Sequence, residues 1–549
     1  MDLSPYAGRW IALVGDDVAG VGHTAAEALH LAQRNRPKER AVVRFIESPG
    51  GEALTLSPML DRLRPFFENQ PNPVYLVGGA VRDALLGRPS HDLDFAVPGG
   101  ANQMAFRAGN FLNAPAYVLD KKRDTGRVVL QESRTTLDFA RFRARDLEAD
   151  LKDRDFTINA LALPATARTQ SSIIDPCGGL ADLTAGVIRL THPQAVHHDP
   201  VRALRAVRLA LELGFTLDES AETAVSGAAD ELAAVSVERV RDELLKCVGG
   251  RAPDRAVRMM ARFGLLAAVL PSIAALAGIE QSSPHREAVL PHTITTLRWL
   301  VRIEKALTPD GETAGPLAAI HAALADFTPG ITSLLNRAVP GGLNGRTLLR
   351  LGALFHDVGK QETKTTEQEE HGGMRIRFLG HETAGAPIAA AELRRLCLSN
   401  EAVAHVQRIV AGHMRPMHLT RSQPGKSNKP LRLTRRAIYR YFRDTGSAGI
   451  DIGLISLADH LATHDSPGDP EQWQRLVSVV AQLFRHYFEH HAETVAPPPL
   501  LDGRELMTVL QLGPGPEVGR LLRLIEEAQA AGELTTKAEA LDFARRSRQ

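Results

Sequence analysis

Between Val74 and Val97 the chain runs strand, glycine pair, helix, strand, and the second strand carries two aspartates two residues apart. That order narrows the fold more than any other feature. Val74 to Val77 is a short apolar run, Gly78-Gly79 a turn, Ala80 to Leu86 helix-forming, and Asp92 to Val97 alternating, which predicts an α/β layer with a mixed sheet. Residues two apart on a strand point to the same side, so Asp92 and Asp94 share one face while Leu93 and Phe95 enter the core. Two neighbouring carboxylates repel unless a cation neutralises them, and Mg²⁺ takes oxygen ligands and bridges phosphates. Gly78 and Gly79 let the backbone N–H groups and positive end of the following helix approach a phosphate, with Arg82 one turn inside. Asp138, polar between the apolar Leu137 and Phe139, is a third carboxylate for a metal cluster or a solvated strand residue.

At 549 residues the chain has room for about three to five domains, so this layer is only part of it. Residues 9 to 46 read as a separate ββαβ unit, its helix opened by a Thr24/Glu27 capping box, and Ser48-Pro49-Gly50-Gly51 reads as a linker. The unit carries no cluster of chemical residues and is expected to be an accessory or packing module. Beyond about residue 190 helical spacing dominates: Val201 to Leu213, Ala221 to Ala234, Glu238 to Val248 and Ala256 to Leu270. The fold class is therefore α+β, a small α/β palm followed by largely all-α regions. The expected division is 1–50 accessory, 71–190 palm, 191–280 helical neck, 285–470 a histidine-bearing region, and 471–549 a helical tail.

Three cysteines without a C-x-x-C pair favour a reducing compartment. The longest apolar stretch, Gly264 to Ile279, is short for a membrane span and broken by Pro271, and the first residues lack a basic-then-apolar leader pattern; the expectation is a cytoplasmic protein without membrane contact. Since the formal charge is only +1, a polyanionic partner has to be held by a local basic patch.

Leu76-Val77-Gly78-Gly79-Ala80-Val81-Arg82-Asp83-Ala84-Leu85-Leu86-Gly87-Arg88, followed by Asp92-Leu93-Asp94, resembles the signature of the tRNA nucleotidyltransferase (CCA-adding enzyme) and bacterial poly(A) polymerase family. Three further segments agree in order: Arg154-Asp155-Phe156-Thr157-Ile158-Asn159, Asp175-Pro176-Cys177-Gly178-Gly179, and Asp199-Pro200-Val201-Arg202-Ala203-Leu204-Arg205-Ala206-Val207-Arg208. The resemblance spans about residues 71 to 280. It implies transfer of C or A from CTP or ATP to a tRNA or other RNA 3′ end, with Mg²⁺ on Asp92, Asp94 and Asp138, and the triphosphate on Gly78, Gly79 and Arg82. It further implies that Arg154 holds the nucleotide and that Asp199 and Arg202 read its base edge. Arg202, Arg205 and Arg208, three apart on a helix, form one basic stripe able to reach phosphates and bases. Two departures stand out: His198 occupies the place where the family usually has Glu, and the segment between Phe142 and Asp150 is short where complete CCA-adding enzymes carry a longer loop. Addition of CC alone or of A alone is therefore open.

Leu354-Phe355-His356-Asp357-Val358-Gly359-Lys360, with His292, His381, His413 and Asp459, resembles an HD phosphohydrolase domain. Imidazoles and carboxylates suit Mg²⁺, Mn²⁺, Ni²⁺ or Fe²⁺; the resemblance makes His292, His356, Asp357 and Asp459 the core ligands, and His381 and His413 those of a two-metal version. After His413 come nine Lys/Arg and no acid before Asp444; Arg432, Arg435, Arg436 and Arg440, with Tyr439 and Tyr441 between them, suit an RNA backbone or a solvated loop and helix. Gly425-Lys426-Ser427 lacks the preceding glycine of a P-loop, because position 420 is Thr. The rival readings are a poly(A) polymerase and an HD phosphohydrolase whose N-terminal half only binds RNA.

Overall fold

The expected strand and helix order from Val74 onward forms a six-stranded mixed sheet, β6-β7-β8-β5-β4-β9. Its strands are β4 (Tyr75–Val77), β5 (Asp92–Val97), β6 (Ala116–Asp120), β7 (Thr125–Leu130), β8 (Thr135–Arg141) and β9 (Ala162–Pro164). β5 and β8 are parallel, with Asp94 level with Asp138; β7 and β8 are antiparallel, with Arg127 level with Asp138. The computed structural model describes residues 2–47, 51–131, 133, 135–308, 311, 313–368, 373–421 and 431–548. Ser48 to Gly50 of the expected linker, and Gly425, Lys426, Ser427 and Lys429, lie outside these.

One face of the sheet carries α2 (Pro58–Phe67) and α4 (Ala101–Leu112), whose Leu60, Leu63, Met104 and Ala105 pack on Leu76, Phe95, Val97, Leu137 and Phe139. Phe95 and Phe139 stack with centroids 4.9 Å apart. Each such fully buried side chain contributes about 1.5–3 kcal/mol, which pins the register of β5 on β8. The N-terminal unit covers part of the other face. It comprises β1 (Arg9–Val14), β2 (Asp17–Gly22), α1 (Ala25–Asn35) and β3 (Val42–Ile46), in sheet order β2-β1-β3, and the Thr24/Glu27 capping box is formed. Trp10 and Val43 share a core with Tyr75, Val77 and Ala96, and Glu47 Oε1 accepts from Arg168 N at 2.7 Å and Thr169 Oγ1 at 2.6 Å. The same face of β5 is thus closed at Ala96 and open at Asp92 and Asp94.

The chain divides into two compact units, Met1–Ala228 and Ala229–Gln549, a division inside the stretch 191–280. In the first unit follow α3 (Gly79–Leu85), α5 (Leu147–Lys152), α6 (Gly179–Ala185), α7 (Ala195–His198) and α8 (Val201–Leu213). In the second, the helix expected over 256–270 is two, Pro253–Arg262 and Leu265–Val269, because Gly264 takes a left-handed φ of 75°. Five longer helices, Val289–Ala306, Gly345–Phe355, His381–Arg395, Asn400–Gly412 and Ala448–His464, gather the histidine region. The tail helices Gly503–Leu510, Pro516–Ala531 and Lys537–Ser547 have a core of their own, with Leu506, Leu521 and Ile525 buried in it. Among the described residues no helix is long and apolar enough to cross a membrane.

Candidate active sites

In the first unit, the alternation that buries Leu93 and Phe95 leaves Asp92 and Asp94 exposed on the open face of β5. Asp92 Oδ1 accepts from Thr136 Oγ1 at 2.5 Å. Asp94 lies on the cleft floor, still in contact with solvent; the desolvating floor, with the charges of Asp138 and Asp92, pushes its carboxyl up to about 6 against the pull of Arg154. Carboxylates crowded in this way form an oxygen donor set that a hard divalent cation relieves, so Asp92 and Asp94 fit a Mg²⁺-type ion. Asp138 stands level with Asp94, but both its oxygens are occupied: Arg127 Nε and Nη2 donate to them, each at 2.6 Å. The carboxylate expected to complete the cluster is therefore paired with Arg127 beside Asp94 in this structure.

Gly78 takes φ 73°, and a Cβ on it would lie 3.1 Å from Arg154 Nη1 and 3.9 Å from Asp94 Oδ2. Glycine is therefore required there, and it brings the strand-to-helix turn between the Arg154 charge and the aspartate. Arg154 Nη2 also donates to Asp150 Oδ2 at 3.2 Å. Arg82, expected at a triphosphate, is buried and committed: its Nη1 donates to Asn159 Oδ1 at 2.6 Å, and its Nε to Asp83 Oδ1 at 2.9 Å. It braces the turn beside Gly79 instead of standing free.

The basic stripe on α8 exists, yet it faces protein. Arg202, buried, donates to the main-chain carbonyls of Asp153, Arg154 and Ala195 at 3.1–3.3 Å, with Asp199 3.9 Å from its Nε. Arg205 Nη1 donates to Asp155 Oδ2 and Arg208 Nη1 to Glu212 Oε2, both at 2.8 Å. The stripe expected to reach phosphates and bases is held by protein partners in this structure: it ties α8 to the 153–155 segment and to its own next turn.

In the second unit, His356, His381 and His413 sit at helix ends and orient alike. The Nδ1 of each meets the carbonyl three residues before it, Ala353, Phe378 and Val410, at 2.7–2.8 Å. With Nδ1 on the carbonyl, each Nε2 faces inward as the ring atom left for a metal. His292, His356 and Asp459 form one group, and Asp357, His381 and His413 a second. Asp357 joins them, with Oδ2 3.2 Å from His356 Nε2 and Oδ1 3.3 Å from His381 Nε2. His381 Nε2 and His413 Nε2 are 3.1 Å apart, and His356 Nε2 is buried without a hydrogen-bond partner. Facing nitrogens and an orphaned ring atom fit two divalent cations with Asp357 between them. The electrostatics agree: burial opposes a charge on His356, but Asp357 and Asp459 raise it to about 10, while burial and the charges of His381 and His356 lower His413 to about 3.

A cavity of about 520 Å³ opens on this centre, lined among others by His285, Lys360, Arg375, Arg377 and Arg421. Lys360 Nζ is 2.7 Å from Asp357 Oδ2 and donates to Gln281 Oε1 at 2.7 Å; the ring of His285 stands edge-on to His292 with centroids 4.9 Å apart. Sequence reasoning missed both as site residues. Lys360 had a signal, three residues after Asp357 at a helix start; His285 had none.

Three of the arginines expected to hold RNA make contacts within the second unit. Helix Arg435–Thr445 packs on Pro516–Ala531, where Arg436 Nε and Arg440 Nη2 reach the nearly buried Glu527 at 3.2 and 2.6 Å, and Arg435 Nη2 donates to Glu493 O at 3.2 Å. Tyr439 and Tyr441 are buried and donate to Glu526 and Gly449 O. Carboxylates distant in sequence pair with Arg435, Arg436 and Arg440, whose side chains keep 42–57% of their surface in water; Arg432 is exposed.

Three family models match along the chain. The Poly A polymerase head domain family matches residues 74–189, the probable RNA and SrmB-binding site of polymerase A residues 214–276, and the HD domain residues 330–463. The CC-adding tRNA nucleotidyltransferase of Thermus thermophilus is 33% identical over 87% of this chain and 94% of its own. The A-adding tRNA nucleotidyltransferase of Deinococcus radiodurans is 32% identical over 88% and 98%. A solved CCA-adding enzyme with ATP, 20% identical, covers 89% of this chain and 93% of that one at a TM-score of 0.54, a likeness of fold.

Proposed function

Because this chain belongs to the tRNA nucleotidyltransferase family, we propose that it extends the 3′ end of tRNA with C, A or both, using CTP and ATP, releasing pyrophosphate and needing no nucleic-acid template. The observation that carries the reading is the open face of β5, where Asp92 and Asp94 stand across the Gly78 turn from Arg154. Asp92 and Asp94 would hold Mg²⁺, which when bound activates the attacking hydroxyl and neutralises the triphosphate. Arg154 draws the triphosphate to the turn, and Arg82 keeps the turn rigid through Asn159. Asp199 accepts from the base edge, and Arg202 donates to it by giving up one of its carbonyl partners. The domain division 71–190, 191–280, 285–470 and 471–549 serves this scheme as palm, neck, HD region and tail, and the three free cysteines suit a cytoplasmic setting.

A specialist that adds CC alone or A alone is the second reading. Only residues 142–146 join β8 to α5, and Arg143 N donates to Asp150 Oδ1 at 2.7 Å, which leaves little free chain to reshape the site between C and A addition. The HD region adds a metal-dependent phosphohydrolase acting on phosphate esters at RNA ends, with Mg²⁺, Mn²⁺, Ni²⁺ or Fe²⁺ held by His292, His356, Asp357, His381, His413 and Asp459.

The test is a gel assay with Mg²⁺ and tRNAs ending before, within and after CCA, given labelled CTP, ATP or both. Growth that stops at CCA, at CC or after one A supports tRNA end addition and names its kind; unlimited A addition or no incorporation refutes it. His356→Ala should abolish phosphate-ester hydrolysis and leave nucleotide addition intact.

A further inference from the structure

A third set of ligand atoms lies in the first unit, apart from the HD centre and on other residues than Asp92 and Asp94. Asp153, His192 and His198 each offer one ligand atom, all within 4.8 Å of one another. They come from three places in the chain: Asp153 caps the end of α5, His192 lies in the turn before α7, and His198 is the last residue of α7. The backbone at each position is pinned. His192 O accepts from Ala195 N at 3.0 Å, His198 N donates to Gln194 O at 2.9 Å, and Asp153 O accepts from Arg202 Nη2 at 3.1 Å. On Asp153, His192 and His198 themselves these bonds use main-chain atoms, and the two imidazole rings meet with centroids 5.2 Å apart.

Two imidazoles and a carboxylate form a donor set that favours late first-row divalent ions, with coordination positions left for water, over the more oxygen-seeking Mg²⁺. Metal–nitrogen bonds of about 2.0–2.1 Å need only a small rotamer adjustment from the present spacing, and Asp153 and His198 lie at the surface, where an ion can enter. His198 is also the residue standing where the resembled family usually has Glu. We propose that Asp153, His192 and His198 form a third metal site, taking Zn²⁺, Ni²⁺ or Co²⁺ on residues separate from the ligand sets of the nucleotidyltransferase and HD centres.

Its position gives it a consequence. His198 directly precedes Asp199, and Asp153 O is one of the carbonyls that hold Arg202. A bound ion ties the end of α5 to the entrance of α8 and keeps Arg202 on its main-chain partners, so it slows nucleotide selection; this second statement rests on the transferase reading, the site itself does not.

The experiment is a Co²⁺ titration of the full chain without nucleotide or RNA, followed by its visible absorbance and by equilibrium dialysis. His192→Ala/His198→Ala should bind one Co²⁺ fewer than the parent, and His198→Gln, which keeps the bulk of the side chain, should weaken that site at least tenfold. A His356→Ala/His413→Ala chain should retain it. Equal stoichiometry in the parent and the His192/His198 variant would overturn the site. In a separate assay with excess Mg²⁺, micromolar Zn²⁺ should slow incorporation by the parent at least tenfold and spare the His192/His198 variant; equal inhibition of both would overturn the coupling. A chain that incorporates nothing would refute the transferase reading while leaving the Co²⁺ result to stand by itself.

Discussion

Asp155→Asn tests how α8 is held to the segment that follows α5. Asp155 is nearly buried, accepting from Arg205 Nη1 at 2.8 Å, Phe156 N at 2.8 Å and Asn159 Nδ2 at 3.1 Å. Removing one member of a fully buried ion pair costs about 3–5 kcal/mol. The Arg205 side chain keeps 32% of its surface in water, and the asparagine oxygen still accepts from Phe156 N, so the expected loss is about 2 kcal/mol, near 30-fold in the folding equilibrium. The pH dependence follows from the carboxyl itself. Burial pushes it up, but the charge and hydrogen bond of Arg205, with those of Asn159 and Phe156 N–H, hold it below its ordinary value. A depressed carboxyl stabilises fully above its unfolded value of about 3.9 and loses that contribution as pH falls through the folded value. Urea unfolding read from Trp10, the one tryptophan of Met1–Ala228, in chains with Trp299 and Trp473 replaced by Phe, should show the midpoint lowered by about 1 M at pH 7. The difference should shrink below pH 4. A double-mutant cycle with Arg205→Gln should return a coupling of about 1–2 kcal/mol. An unchanged midpoint, a gap that persists undiminished at pH 3, or zero coupling would refute the reasoning.

Asp94→Asn should cut incorporation about 10²–10³-fold without lowering the melting temperature, because it removes a carboxylate repelled by Asp138 and Asp92; a marked loss of stability would make Asp94 a structural residue. Gly78→Ala should cost about 1–2 kcal/mol for the left-handed φ and raise the KM for the nucleotide by pushing on Arg154, measured by melting and steady-state kinetics; unchanged KM would separate the turn from the triphosphate. Glu527→Gln leaves Arg436, Arg440 and Arg443 facing a neutral group, so proteolysis near Pro497 should accelerate while tRNA affinity in a filter-binding assay stays level. A fall in tRNA affinity for Arg440→Gln would restore the RNA role that the ion pairs argue against.

Local physics was readable from the chain because it acts over a few residues. Strand alternation put Asp92 and Asp94 on one face, the Thr24/Glu27 spacing opened α1, and the glycine pair marked the strand-to-helix turn; each depends only on neighbours. The histidines and aspartates that cluster in the second unit were likewise named from their short motifs. The α8 stripe was read correctly as a stripe, yet its surroundings were not visible, since Asp155 and the carbonyls of Asp153 and Arg154 meet it only after the chain folds back.

The sequence by itself determined which carboxylates, histidines and glycines stand together locally, hence the α+β class and the chemistry available to it. Tertiary structure decided which of them are free. Register on β7 and β8 set Arg127 against Asp138; docking of the tail helix ion-paired the basic helix at Glu527; and Asp357 came to lie between His356 and His381. Charge availability is a property of neighbours distant in sequence, and strand pairing and helix packing alone bring those neighbours into range.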